Sequence, residues 1–126
     1  MAYTVYHLHS DDSLLDSCTK YSEYVDLAVA QGMKAIASTE HGKPSGWVSK
    51  KLYCQQKGIK FIHGVEIYLT ETLEEKIRDN YHTVLLAKNY DGVLELNKLI
   101  ELATRPDHTH YNPRITFDEF LAISPN

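Results

Sequence analysis

Three apolar runs in this chain each lead into a histidine or a carboxylate, and that recurrence restricts the fold more than any other feature. Tyr3 to Ser10 carries His7 and His9 and runs into Asp11, Asp12 and Asp16. Lys34 to Ser38 leads into Thr39-Glu40-His41-Gly42, and Ile59 to Leu69 carries Glu66 inside an otherwise apolar stretch. In an extended strand alternate side chains share a face, so His7 and His9 point together. Neutral imidazole ligates zinc and other transition metals, and Asp16 adds a hard oxygen ligand. A carboxylate within an apolar run is costly unless it is paired or binds a metal, which marks Glu66. An H-x-H pair alone also fits a solvated strand face. Convergence of residues from three separate runs is the stronger signal.

The stretches between these runs have helical spacing. Lys20 to Gln31 places Tyr21, Tyr24, Val25, Ala28 and Val29 along one side, with Thr19 as the expected N-cap and Gly32 as the stop. Ser45 to Lys57 predicts a second helix with Trp47, Val48, Lys51, Leu52 and Gln55 on one side, closed by Gly58. Ile59 to Leu69 reads as one long strand, or two pieces hinged at Gly64. Glu71 to Asn80 reads as a charged, solvated connection, and Tyr81 to Lys88 as a further strand with His82 at its start. Asp91 is the expected cap of a helix through Ala103 with Val93, Leu96, Asn97 and Ile100 in line. Thr104 to Ile115 reads as a loop containing Pro106 and Pro113, and Thr116-Phe117-Asp118-Glu119 as a capping box opening a last short helix.

Strands alternating with helices predict an α/β domain with a parallel sheet. In α/β barrels the C-terminal strand ends form the face that carries the chemistry, so His7, His9, Asp16, Glu40, His41 and Glu66 are expected to converge there. Mixed imidazole and carboxylate ligands suit zinc, manganese or iron better than magnesium alone. Two-metal sites activate water and stabilise the leaving oxygen in phosphoester cleavage. His63 has the opposite strand parity from Glu66 and reads as a packed or surface histidine, and His108 and His110 read as solvated.

The 126 residues suffice for one domain with a real core, and 13 basic against 17 acidic residues leave a net charge of -4. With no basic run, an extended phosphate-binding surface is not expected, whereas a small phosphate ester held through metal ions is. Cys18 and Cys54 form no C-x-x-C and read as thiols of a reducing compartment. There is no G-x-S-x-G elbow, P-loop or G-x-G-x-x-G. Without a leader-like or membrane-spanning apolar run, a cytoplasmic protein is expected.

Taken in order, the motifs resemble the PHP (polymerase and histidinol phosphatase) domain, in the version found at the N-terminus of bacterial DNA polymerase III alpha subunits. His7-Leu8-His9-Ser10 through Ser13-Leu14-Leu15-Asp16 is similar to the first family motif, Thr39-Glu40-His41-Gly42 to the second, and Gly64-Val65-Glu66-Ile67-Tyr68 to the third. His82-Thr83-Val84-Leu85-Leu86-Ala87-Lys88-Asn89 and Pro113-Arg114-Ile115 resemble the polymerase subgroup. The resemblance implies a (β/α)7-type barrel, a cluster of two or three divalent ions and phosphoester hydrolysis. It implies His7, His9, Asp16, His41, Glu66 and His82 as metal ligands, with Glu66 bridging and Glu66 and His41 as the catalytic candidates. Glu40 stands where the family usually has aspartate, and the family's later Asp-x-His motif has no counterpart.

Residues 1–126 therefore read as the N-terminal portion of a PHP domain, about half of the family barrel. Alone it is expected to bind metal weakly, turn over little and self-associate. The leading expectation is a phosphoesterase domain of a replicative polymerase, removing a 3' nucleotide or hydrolysing pyrophosphate. Its partners would be nucleic acid or nucleotide and other replicase subunits, with no membrane. The alternatives are an inactive interaction module of the polymerase and a stand-alone small-molecule phosphatase.

Overall fold

The computed structural model describes residues 3–74, 76 and 80–126. Its elements in chain order are α1 (Tyr21–Ala30), β1 (Ala35–Ser38), α2 (Trp47–Gln56), β2 (Lys60–Thr70), β3 (Tyr81–Leu86), α3 (Tyr90–Ala103), β4 (Thr109–His110), β5 (Asn112–Thr116) and α4 (Phe117–Leu121). The α/β class is as expected, and the sheet is built around β2. No described helix is long and apolar enough to cross a membrane.

β1 pairs parallel with residues 60–63 of β2, and β5 pairs parallel with residues 68–70. β3 pairs antiparallel along residues 64–69, which departs from an all-parallel sheet. The reason is the connection. A parallel return needs a crossover of a dozen or more residues, usually a helix, and residues 71–80 are too few. Within that connection residues 71–74, 76 and 80 form no helix or strand, and the rest lie outside the described residues.

β2 is one continuous strand, with Gly64 where its partners change. A Cβ there would sit 2.7 Å from Leu86 Cδ2, 2.8 Å from the Leu85 carbonyl and 2.9 Å from Thr39 Cγ2, so the close approach of both neighbours requires glycine.

The opening run is not a paired strand. It touches β1 through one bridge, Val5 to Ile36, and bends at His7. Ala37 N–H donates to Val5 O and Thr39 N–H to Leu8 O, while Leu8 N–H donates to the Thr39 hydroxyl. The bend breaks strict alternation, so Val5 and Leu8 both pack on the same core.

That core joins Tyr21, Val25 and Ala28 of α1 to Ile36, Cys54 and Ile59. The second core packs Leu96, Leu99 and Ala103 of α3 against Val65, Ile67, Leu69 and Ile115. Burying each Val, Leu or Ile of these two cores contributes roughly 1.5–3 kcal/mol. Because side chains alternate, these odd positions of β2 leave Gly64, Glu66 and Tyr68 on the other face.

Several helix details differ from expectation. α1 begins after Lys20, not Thr19, and has no side-chain cap, while Gly32 closes it at φ 74°. α2 buries Lys50 and Cys54 and leaves Val48 and Leu52 more than half exposed, because Lys50 turns inward to a buried carboxylate. α3 is capped by the Asn89 side chain accepting from Gly92 N–H, not by Asp91, and it buries Leu99 while Asn97 is exposed. The expected loop 104–115 holds β4 and most of β5. Pro113 is tolerated because the parallel pairing of β5 with β2 begins at Arg114. The capping box is present, with the Thr116 hydroxyl accepting from Glu119 N–H and Glu119 accepting from Thr116 N–H.

Candidate metal centre

Glu66 is the centre of the site. Its position on β2 turns it away from the α3 core, and it is 1% exposed. On one edge its backbone pairs with Val84 of β3, and on the other it bridges to His41. Four imidazoles surround its carboxylate. His7 Nε2 and His9 Nε2 lie 2.6 and 3.2 Å from Oε2, and His41 Nδ1 and His82 Nδ1 lie 3.1 and 2.7 Å from Oε1. Asp16 reaches the rim, its Oδ2 lying 3.3 Å from His41 Nε2. All six sequence-selected residues thus come together. The antiparallel return explains His82: its strand start lies opposite Tyr68, at the end of β2 where the site is.

The ligand atoms form three overlapping triads: His7, His9 and Glu66; His9, Asp16 and His41; His41, Glu66 and His82. His9, His41 and Glu66 each belong to two of them, so the set has the connectivity of a cluster. His9 and His41 also stack, with ring centroids 4.1 Å apart.

The donors fit a cation better than they fit one another. Glu66 Oε1 is buried and makes no hydrogen bond, although two ring nitrogens lie within about 3 Å. His7 Nε2 and His9 Nε2 are 2.8 Å apart, where both cannot carry a facing proton. Burial, then the neighbouring His41, lowers the pKa of His9, which favours the neutral, ligating imidazole.

A second buried carboxylate, Glu40, holds the loop beside the site. Lys50 Nζ donates to Glu40 Oε1 at 2.7 Å and pairs with Asp12 Oδ2 at 2.8 Å. The Ser10 and Ser13 hydroxyls donate to Glu40, as does Ser10 N–H. Burial opposes ionisation of Glu40, but the bonds from Lys50, Ser10 and Ser13 outweigh it and hold its pKa below the ordinary value. Ser13 Oγ also accepts from His41 N–H at 3.2 Å. This clamp fixes residues 10–13, and the chain then reaches Asp16 through Leu15 in the left-handed region at φ 69°.

Sequence reasoning did not single out Tyr68 or Lys50. The Tyr68 hydroxyl lies 3.0 Å from His41 Nδ1, and burial, then Glu66 and Asp16, raises its pKa. Its parity with Glu66, two residues earlier, was a usable signal. Lys50 had none, because its partner Glu40 is distant in sequence. His63 and His108 are both buried and away from the Glu66 cluster. His108, expected to be solvated, sits between Asp107 at 3.0 Å and Glu119 at 2.9 Å.

The profile of the PHP domain family matches residues 6–124. The chain belongs to the PHP domain family. This PHP domain is 38% identical over 125 residues to the DNA polymerase III subunit alpha of Aquifex aeolicus, covering 89% of this chain and 10% of that protein. It is 37% identical to the same subunit of Borreliella burgdorferi over 94% of this chain and 11% of that protein. It is 34% identical to the error-prone DNA polymerase of Symbiobacterium thermophilum over 99% of this chain and 10% of that protein. The PHP domain therefore spans about 10% of the length of these curated relatives. Among solved structures, an amidohydrolase from Chromobacterium violaceum with bound sulfate and no metal superposes with a TM-score of 0.57 at 25% identity. The match covers 80% of this chain and 34% of that one.

Proposed function

We propose that this PHP domain is a divalent-metal phosphoesterase module of a replicative-polymerase-type protein, acting on a 3'-terminal nucleotide or on pyrophosphate. The observation that carries the reading is Glu66, buried with an unbonded Oε1 at the meeting point of four imidazoles. His7, His9, Asp16, His41, Glu66 and His82 would hold the ions, and zinc, manganese or iron suits this donor set. Bound ions would lower the pKa of water and neutralise charge on the phosphate ester.

The chain's own groups have separable roles. Glu66 presents one oxygen to each pair of histidines and joins two of the three triads. The Tyr68 hydroxyl, kept protonated, can hold His41 in place and donate towards a phosphate oxygen. The Glu40 clamp positions Asp16 and His41 through Ser13. Resemblance to polymerase subunits supports nucleic acid or nucleotide as substrate class, with replicase subunits as partners and a cytoplasmic setting.

The test measures metal content and hydrolysis of a 3'-labelled oligonucleotide and of pyrophosphate by the protein carrying this domain. Activity should depend on added Mn2+ or Zn2+ and fall at least 100-fold in Glu66→Ala, a change of about 2.7 kcal/mol in the barrier. A protein that purifies without stoichiometric metal, and whose behaviour Glu66→Ala leaves unchanged, would be an interaction module instead.

A further inference from the structure

Away from the Glu66 cluster, a second cleft of about 440 Å³ opens between α2, the first residues of β2 and the start of α3. Trp47, Lys51, Lys60, His63, Lys88 and Tyr90 contribute to its wall, and no carboxylate does. In a chain of net charge -4, a wall with three lysines and no carboxylate concentrates positive potential in one concavity. None of the three forms an ion pair among the described residues.

His63 gives the cleft its specific character. It is 6% exposed, yet neither ring nitrogen has a hydrogen-bond partner. A buried polar group left unbonded is unfavourable, and its presence calls for an explanation such as a ligand. The ring is held edge-on to Trp47, with centroids 5.1 Å apart, and to Phe61 at 6.2 Å. Trp47 and Tyr90 add flat apolar surface beside the lysines.

We infer that this cleft binds a nucleoside monophosphate, with the phosphate among Lys51, Lys60 and Lys88, the base against Trp47 and Tyr90, and a polar edge of the ligand on His63. Aromatic walls accept any base by stacking, and lysine is a natural phosphate partner. The site is separate from the metal centre and does not depend on the proposed phosphoesterase activity.

Trp47 is the sole tryptophan, so its fluorescence reports on the cleft directly. The full chain would be titrated with AMP, adenosine and inorganic phosphate, each in the presence of EDTA. AMP should give a saturable change, and adenosine and phosphate should each bind more weakly. Lys51→Ala and Lys88→Ala, both at exposed positions, should each weaken AMP about tenfold. Circular dichroism would confirm that both variants fold. His41→Ala, in the metal centre, should leave AMP binding unchanged. Absence of a saturable AMP signal, equal binding of adenosine, or unaltered AMP binding in both lysine variants would overturn the inference.

Discussion

Glu40 and Glu66 are both buried, at 0% and 1% exposure, yet their surroundings differ in kind. Glu40 meets an ammonium, two hydroxyls and a backbone N–H. It is a carboxylate whose charge is already balanced within the protein. Glu66 meets four imidazoles and no permanent cation, and one of its oxygens is left without a hydrogen bond. Burial alone therefore does not mark a candidate metal carboxylate. What separates the two is whether the chain supplies the counter-charge, or only neutral donors aimed at a common point.

The largest expected effect tests the balanced side. Lys50→Met removes the ammonium and leaves Glu40 buried without its cation, which should destabilise the fold by about 3–5 kcal/mol. Chemical denaturation in EDTA would measure it. If the loss is below about 1 kcal/mol, Lys50 and Glu40 do not form a closed buried pair.

Glu66→Gln tests the other side. Metal affinity should fall at least tenfold by calorimetric titration, while stability in EDTA should change by less than about 1 kcal/mol, since no cation inside the protein loses its partner. Saturating Mn2+ or Zn2+ should then raise wild-type stability by about 2.7 kcal/mol at one hundred times Kd, and the variant's by much less. Equal stabilisation of both proteins would remove Glu66 from the centre of the site.

Acid titration tests the Glu40 network further. The pKa of Glu40 is depressed in the folded state, so the unfolded chain binds more protons as pH falls. Its contribution to stability is complete above the ordinary value of 4.5 and is lost as pH falls through the folded value. Stability followed in EDTA from neutral pH downwards should drop more steeply in wild type than in Glu40→Gln.

The smallest effect is expected at Leu52→Lys. Leu52 is 59% exposed on α2, two residues from buried Lys50, and its substitution should change stability by no more than about 0.5 kcal/mol. A large loss would mean that α2 is rotated so that Leu52 faces the core.

Much of the site was legible from local spacing. His7 and His9 are two residues apart, Glu66 interrupts an apolar run, and His41 follows one. Each of these signals arises within a few residues, where strand parity and desolvation act directly. The (β/α) alternation and the capping box at Thr116 are equally local. Despite the bend at His7, both first-motif imidazoles face Glu66.

The rest depended on contacts distant along the chain. The sequence by itself determined the α/β class, the metal-type donors and the family motifs that carry them. Only the tertiary structure decided that β3 returns antiparallel and carries His82 to Glu66. It also decided that α2 turns Lys50 inward to Glu40, and that Asn112–Thr116 joins the sheet despite Pro113. Strand direction, helix rotation and sheet edges are chosen by which surfaces and charges meet across the fold, and residue order alone does not record those meetings.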